Sequence, residues 1–194
     1  MSPRGVAIPG LREHLFDAAE RIVARDGAAA LTSRAVTTEA GCAKGVLHAR
    51  FAGLDEFVAE LVLDRFSRSA AVAAGLPARA GTGTVAENLG TVAAAILSLD
   101  PGVVGLSLTR PGAARHVRDA WQSGAPGFGS VQGSVETYLG AERTRGRVPP
   151  SLDPETVALA LVGTLHHLLM TGSLTSGPSH PRVDRLIHTL LAAP

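Results

Sequence analysis

A chain of 194 residues with 45% hydrophobic, 18% charged and 4% aromatic side chains can fill one large core or two smaller ones. That charge density excludes a disordered tail or a basic packaging protein, and a net charge of +1 leaves any attraction to nucleic acid to local arrangement. One cysteine, Cys42, excludes an intrachain disulfide and a multi-cysteine zinc site, and suits a reducing compartment. Met1–Gly10 lacks the apolar core of a leader. The longest purely apolar runs, Val92–Leu97 and Val157–Val162, are six residues each, against the roughly 18 that span a bilayer. The expectation is a cytoplasmic protein with no membrane partner.

In chain order, the hydrophobic period is helical. Leu11, Leu15, Ala18, Ala19, Ile22 and Val23 recur at spacings of three and four, with Arg12, Glu13, Asp17, Glu20 and Arg21 on the other face. Gly27 ends that helix. Breakers then divide the chain, and the spacing predicts helices over 11–26, 33–39, 43–49, 54–74, 84–99, 101–109, 112–123, 128–145, 153–172 and 181–192. The punctuation lies at Gly75–Gly83, Asp100–Pro101, Arg110–Pro111–Gly112, Gly124–Gly129 and Val148–Pro150. Asp153–Pro154–Glu155 reads as a helix start, aspartate capping and proline first. No alternating run calls for a strand, so the fold class is all-α.

Leu31–Phe57 is the informative stretch. Thr32 can cap a short helix that turns Ala35 and Val36 inward. Ala40–Gly41–Cys42 makes a tight turn needing a positive φ, a second short helix follows, and Phe51 closes the unit. Two short helices joined by a glycine turn behind a longer supporting helix are the parts of a DNA reader, sized for a major groove about 12 Å wide. Lys44 is placed for a guanine edge, Gly45 for close backbone approach and Val46 for a thymine methyl. Ser33, Arg34, His48 and Arg50 are placed for phosphates, which position without specifying. Residues 1–53 hold seven basic and five acidic side chains, a net +2, while the remainder, with 11 and 12, is net −1.

In Leu31–Thr32–Ser33–Arg34–Ala35–Val36, Ala40–Gly41–Cys42–Ala43–Lys44–Gly45–Val46–Leu47–His48–Ala49–Arg50–Phe51 and Leu54–Asp55–Glu56–Phe57, the sequence resembles the TetR family of bacterial transcriptional regulators. The resemblance is specific over about residues 11–60 and architectural beyond. Cys42 replaces the usual turn valine, Ala43 the capping serine, His48 a phosphate-contacting tyrosine and Leu54 a frequent phosphate-contacting lysine. The resemblance therefore implies a reader thin in backbone contacts. Ala43 forgoes a cap worth about 1 kcal/mol.

It also implies two domains, a helix-turn-helix DNA-binding domain over 1–53 and a helical ligand-binding and dimerisation domain over 54–194. The expected partners are double-stranded operator DNA, a small hydrophobic or amphipathic effector, and a second copy forming a homodimer through the helices of 128–145 and 153–172. The helix of Phe57–Ala74 would carry effector occupancy to the reader, releasing a repressor from a palindromic operator. Candidate effector-binding residues are Ile96, Leu97, Leu106, Trp121, Phe128, Tyr138 and His166.

No catalytic constellation, cofactor loop or metal cluster stands out. A small all-α enzyme or a helical interaction protein with a degenerate reader is the alternative. His166 and His167, adjacent on a helix, point about 100° apart. His180, Asp184 and His188 share a spacing of four and would suit zinc or nickel only if their helix began early; Pro181 favours His180 as a cap. A small buried role for Cys42 is favoured over a redox sensor.

Overall fold

The chain in the computed structural model, described over residues 10–171 and 180–192, is helical, and there is no strand among those residues. Helix α1 (Leu11–Asp26) buries Leu15, Phe16, Ala18, Ala19, Ile22 and Val23, the expected stripe with Phe16 added and with Leu11, at the helix start, only partly buried. It is followed by α2 (Ser33–Glu39), α3 (Val46–Arg50), α4 (Leu54–Ala74), α5 (Val85–Leu97), α6 (Pro101–Thr109), α7 (Pro111–Gln122), α8 (Phe128–Thr144), α9 (Pro154–Thr171) and α10 (Pro181–Ala192), with 3₁₀ turns at Ala28–Ala30 and Pro77–Arg79.

Local chemistry sets the boundaries. Thr32 accepts the Ala35 amide at 3.1 Å and starts α2. Thr84 and Glu87 exchange bonds in a capping box at the start of α5. Asp153 accepts the Thr156 amide at 3.1 Å ahead of α9. The helix expected over 43–49 is the exception, since α3 begins only at Val46. Ala43 has no side-chain oxygen to accept an orphan amide, and Gly45 adds a weak helix former, so Ala43, Lys44 and Gly45 form a turn, closed by the Val46 amide on the Ala43 carbonyl at 3.0 Å, ahead of the helix.

By compactness the chain divides into two units, one ending at Val62 and joined by Gly102–Arg118, the other Leu63–Pro101 with Asp119 onward. The division does not follow the expected 53/54 boundary. It falls inside α4 and groups most of α6 and most of α7 with α1, α2 and α3.

The first unit is organised around Phe16, Phe51 and Phe57, with ring centroids 5.1–6.4 Å apart. Such rings bury large apolar area and favour tilted or edge-on contact. His14 donates a ring N–H to the Ala40 carbonyl at 2.8 Å, tying α1 to the end of α2.

In the second unit α8 packs on α9, α9 on α5 and α10, and α10 on α5. A buried polar network crosses it. Asn88 donates to Tyr138 Oη at 2.9 Å and to the Thr82 carbonyl at 2.8 Å. The wholly buried Glu142 accepts the Gly81 amide at 3.1 Å and pairs with Arg147 at 3.3 Å. Burial pushes the Tyr138 phenol up to about 12, the bond from Asn88 opposing the rise and the nearby Glu142 carboxylate adding to it. No single helix among the described residues is long and apolar enough to cross a membrane.

Candidate nucleic-acid interface

The turn between α2 and α3 is dictated by residue type. Gly41 sits at a φ of +62°, where a Cβ is strained. Its amide bonds the Thr38 carbonyl at 3.0 Å, and the Cys42 amide reaches the Thr37 carbonyl at 2.8 Å. These two bonds make a Schellman cap, which satisfies carbonyls at the end of α2 and turns the chain sharply. Thr37 is buried beneath the turn, its hydroxyl bonded to the Ser33 carbonyl at 3.0 Å.

Leu47 and Phe51 are buried and hold α3 to the first unit. Its opposite side is open. Ala43, Lys44, Gly45, His48 and Arg50 are exposed, as is Arg34 on α2, while Ser33 and Val46 are partly so. A five-residue helix is about 7.5 Å long, short enough to lie across a groove about 12 Å wide. Lys44, expected in the first helical turn, projects from the turn before it.

Charge is partitioned over this unit. On α1, Arg21 pairs with Glu39 at 2.9 Å, Arg25 with Glu39 at 3.2 Å and Asp26 at 3.0 Å, and Arg12 with Glu60 at 3.1 Å. The Arg21 and Arg25 hydrogen bonds hold the Glu39 carboxyl below the usual carboxylate range. Among the described residues, Arg34, Lys44 and Arg50 form no ion pair. The cations of the supporting helix are thus neutralised, whereas Arg34, Lys44 and Arg50 around the α2–α3 turn are not, giving a nearly neutral chain a local positive face; Arg115 and Arg118 on α7 are likewise exposed and, among the described residues, without an ion pair.

Contacts among Arg110, Gly112 and Asp55 that the sequence does not foretell complete this unit. Arg110, between α6 and α7, donates to the Leu31 carbonyl at 2.9 Å and to Asp55 Oδ1 at 3.3 Å. At Gly112 a Cβ would stand 2.1 Å from Asp55 Oδ2 and 2.8 Å from its Cγ. Nothing local signals these contacts, because Arg110–Pro111–Gly112 reads only as a break and Asp55 only as an acid in a helix's first turn.

The candidate effector residues do not converge as one set. Trp121, Phe128 and His166 form a chain of edge-to-face rings with Phe66, which the sequence reading missed: Trp121–Phe66 at 6.0 Å, Phe66–Phe128 at 4.7 Å and Phe128–His166 at 4.7 Å. Trp121 donates its indole N–H to the Pro126 carbonyl at 3.1 Å, leaving one edge of the cluster open. Ile96, Leu97 and Tyr138 are buried in the second unit, and Leu106 is buried in the first.

His180 precedes α10 and its carbonyl accepts the Asp184 amide at 3.0 Å, as a residue ahead of a helix does. It lines a cleft of about 380 Å³ with Glu87, Thr91 and Asp184, and His188 lines the adjoining one. Among the described residues no three His, Cys, Asp or Glu side chains are grouped to hold a metal. Cys42 is half-buried, its thiol 3.4 Å from the Ala40 carbonyl, so the expected buried role is only partly met.

No protein-family model and no curated protein matches the chain. Solved structures do. A chain from Mesorhizobium loti MAFF303099, assigned to the TetR family of transcriptional regulators, superposes with a TM-score of 0.71 at 16% identity, covering 97% of this chain and 98% of its own. The chain has the TetR-family fold. The transcriptional regulator FadR from Bacillus subtilis, in complex with stearoyl-CoA, gives a TM-score of 0.66 at 14% identity over 93% and 97% of the two chains. The multidrug binding protein EbrR, complexed with imidazole, gives 0.57 at 24% identity over 94% and 96%. Within the TetR fold the helix-turn-helix is α2 and α3, supported by α1.

Proposed function

We propose that the chain is a ligand-responsive, DNA-binding transcriptional regulator, a repressor that reads a palindromic operator as a homodimer in the cytoplasm. The observation that carries this reading is the outward face of α2 and α3, where Arg34, Lys44 and Arg50 are exposed while the cations of α1 are neutralised. Lys44 meets a guanine edge, with Gly45 and Val46 close to the bases. Ser33, Arg34, His48 and Arg50 meet phosphates, and Ala43 approaches through its backbone.

Dimerisation places two readers on half-sites about 34–36 Å apart. The outward face of α9 supports it as a partner-facing element: Leu159 is 58% exposed, and Gly163, His166 and His167 are exposed on the turns that follow. The effector is a small hydrophobic or amphipathic molecule. The Phe66–Trp121–Phe128–His166 rings offer it an aromatic wall, and α4 carries its occupancy to the reader.

Fluorescence anisotropy on duplexes selected by the protein from a random-sequence library tests the reading. Selection of a palindrome, bound by wild type and released from its sequence preference by Lys44→Ala, supports it. Failure to enrich any sequence at physiological salt sinks it.

A further inference from the structure

The helix-turn-helix proper runs from Thr32, the cap of α2, to Leu54, the first residue of α4. Leu31 is the residue before it and Asp55 the residue after it. Both are bound by one side chain. Arg110 Nη2 donates to the Leu31 carbonyl at 2.9 Å, and Arg110 Nη1 donates to Asp55 Oδ1 at 3.3 Å. The two contacts span 79 and 55 positions of sequence, so neither follows from local propensity.

The guanidinium is suited to this because its planar fork holds two acceptors at a fixed angle, which a lysine cannot do. Its site is well defined. The Arg110 side chain is 27% exposed and Leu31 is wholly buried, so water competes less for that contact than at an open surface, while the Asp55 side chain, 46% exposed, keeps access to solvent. Gly112 adds an independent observation. A Cβ there would fall 2.1 Å from Asp55 Oδ2, 2.8 Å from Cγ and 3.1 Å from Cβ, so the whole Asp55 side chain occupies the space that a larger residue would take. Pro111 between them fixes its own φ and stiffens the junction.

We propose that Arg110 is a positioning residue of the reader: a clasp that fixes both ends of the helix-turn-helix at once, with Gly112 keeping the space in which Asp55 meets it. The clasp sits at the α6–α7 junction, and a rearrangement there acts directly on the start of α2 and the start of α4. This is a second route of control beside the length of α4. It rests on the DNA-binding reading for its functional consequence, though not for its effect on the order of residues 32–54.

The full-length protein tests this with two readouts, anisotropy on a duplex that wild type selects from a random library and amide hydrogen exchange resolved by segment. Hydrogen bonds to a charged group set the scale, so Arg110→Ala is expected to weaken binding by about tenfold or more. It is also expected to speed exchange over 32–54 while leaving α8 and α9 unchanged. Arg110→Lys, which reaches one acceptor at a time, falls between wild type and alanine. Gly112→Ala, which keeps Arg110 but displaces Asp55, reproduces part of the loss and serves if Arg110→Ala does not fold.

Binding within about twofold of wild type, below what one such bond is worth, overturns the proposal if exchange over 32–54 is also unchanged in Arg110→Ala and Gly112→Ala. Equal acceleration of exchange in all helices overturns it too, because that is a general loss of stability. If wild type enriches no duplex, the DNA-binding reading fails by itself, and the exchange over 32–54 still decides the clasp.

Discussion

The helix-turn-helix and the second unit differ in where the groups that define them meet. The groups of the helix-turn-helix project outward from a short segment, and neighbouring residues specify almost everything. Thr32 caps, Gly41 turns, Leu47 anchors, and Lys44 and Arg50 project. In the second unit the partners lie elsewhere in the chain. Phe66 on α4, Trp121 on α7, Phe128 on α8 and His166 on α9 meet only because four helices pack, and Asn88 meets Tyr138 across 50 positions. An outward-facing site is written locally, whereas an inward-facing one depends on packing.

Substitutions can break this comparison, and the largest effect is expected at Glu142. Glu142→Ala removes a wholly buried carboxylate from Arg147 and the Gly81 amide, at a cost of about 3–4 kcal/mol, the range for breaking a buried pair. Chemical denaturation gives the loss, and segment-resolved exchange is expected to place it in the second unit, with α2 and α3 little changed. Leu47→Ala is the converse, about 2–3 kcal/mol at a fully buried site, with DNA binding lost before the second unit loosens. Equal disturbance of both units by either variant would erase the distinction.

Smaller effects sharpen it. Thr32→Ala deletes the hydroxyl that accepts the Ala35 amide and is expected to cost about 1 kcal/mol, read as faster exchange at the start of α2. Tyr138 is the only tyrosine, so alkaline ultraviolet titration reports its phenol alone. Burial raises that group to about 12 from 10.0. Because the folded value is the higher one, its contribution is present in full below 10.0 and is lost as pH rises toward about 12. The melting midpoint should fall across that interval, and Tyr138→Phe should remove the part of the fall due to this group. A phenol titrating near 10 would contradict the buried network.

At the acid end the sign reverses. Glu39 is depressed by its Arg21 and Arg25 bonds, Glu87 by Thr84 and Asp153 by Thr156. These carboxylates contribute above their ordinary values of 4.5, 4.5 and 3.8, and that contribution is lost as pH falls below them. Thermal melts between neutral pH and acid are expected to show a shallow decline confined to that window, smaller than any substitution above.

Helix number and most helix limits were readable because apolar period, proline and caps act within a few residues. The bounds of α1, α2, α4, α6 and α10 coincide with those expected. The start of α3 was missed by three residues, since the expected helix was extended over Ala43–Gly45, where no side chain caps it. Among the candidate effector residues, Tyr138 is wholly buried and accepts a hydrogen bond from Asn88. A pattern of apolar and aromatic positions cannot distinguish a lining residue from a packed one.

Sequence alone therefore determined what short-range forces govern: an all-helical chain, the glycine turn, the capped α2 and the exposed cations around the turn between α2 and α3. Packing settled which distant groups meet. The Arg110 clasp on Leu31 and Asp55, the ring chain around Phe66 and the buried Glu142 each join residues far apart in the chain. Such contacts form only when many weak burial terms together bring helices into register, and no window of neighbouring residues contains that sum.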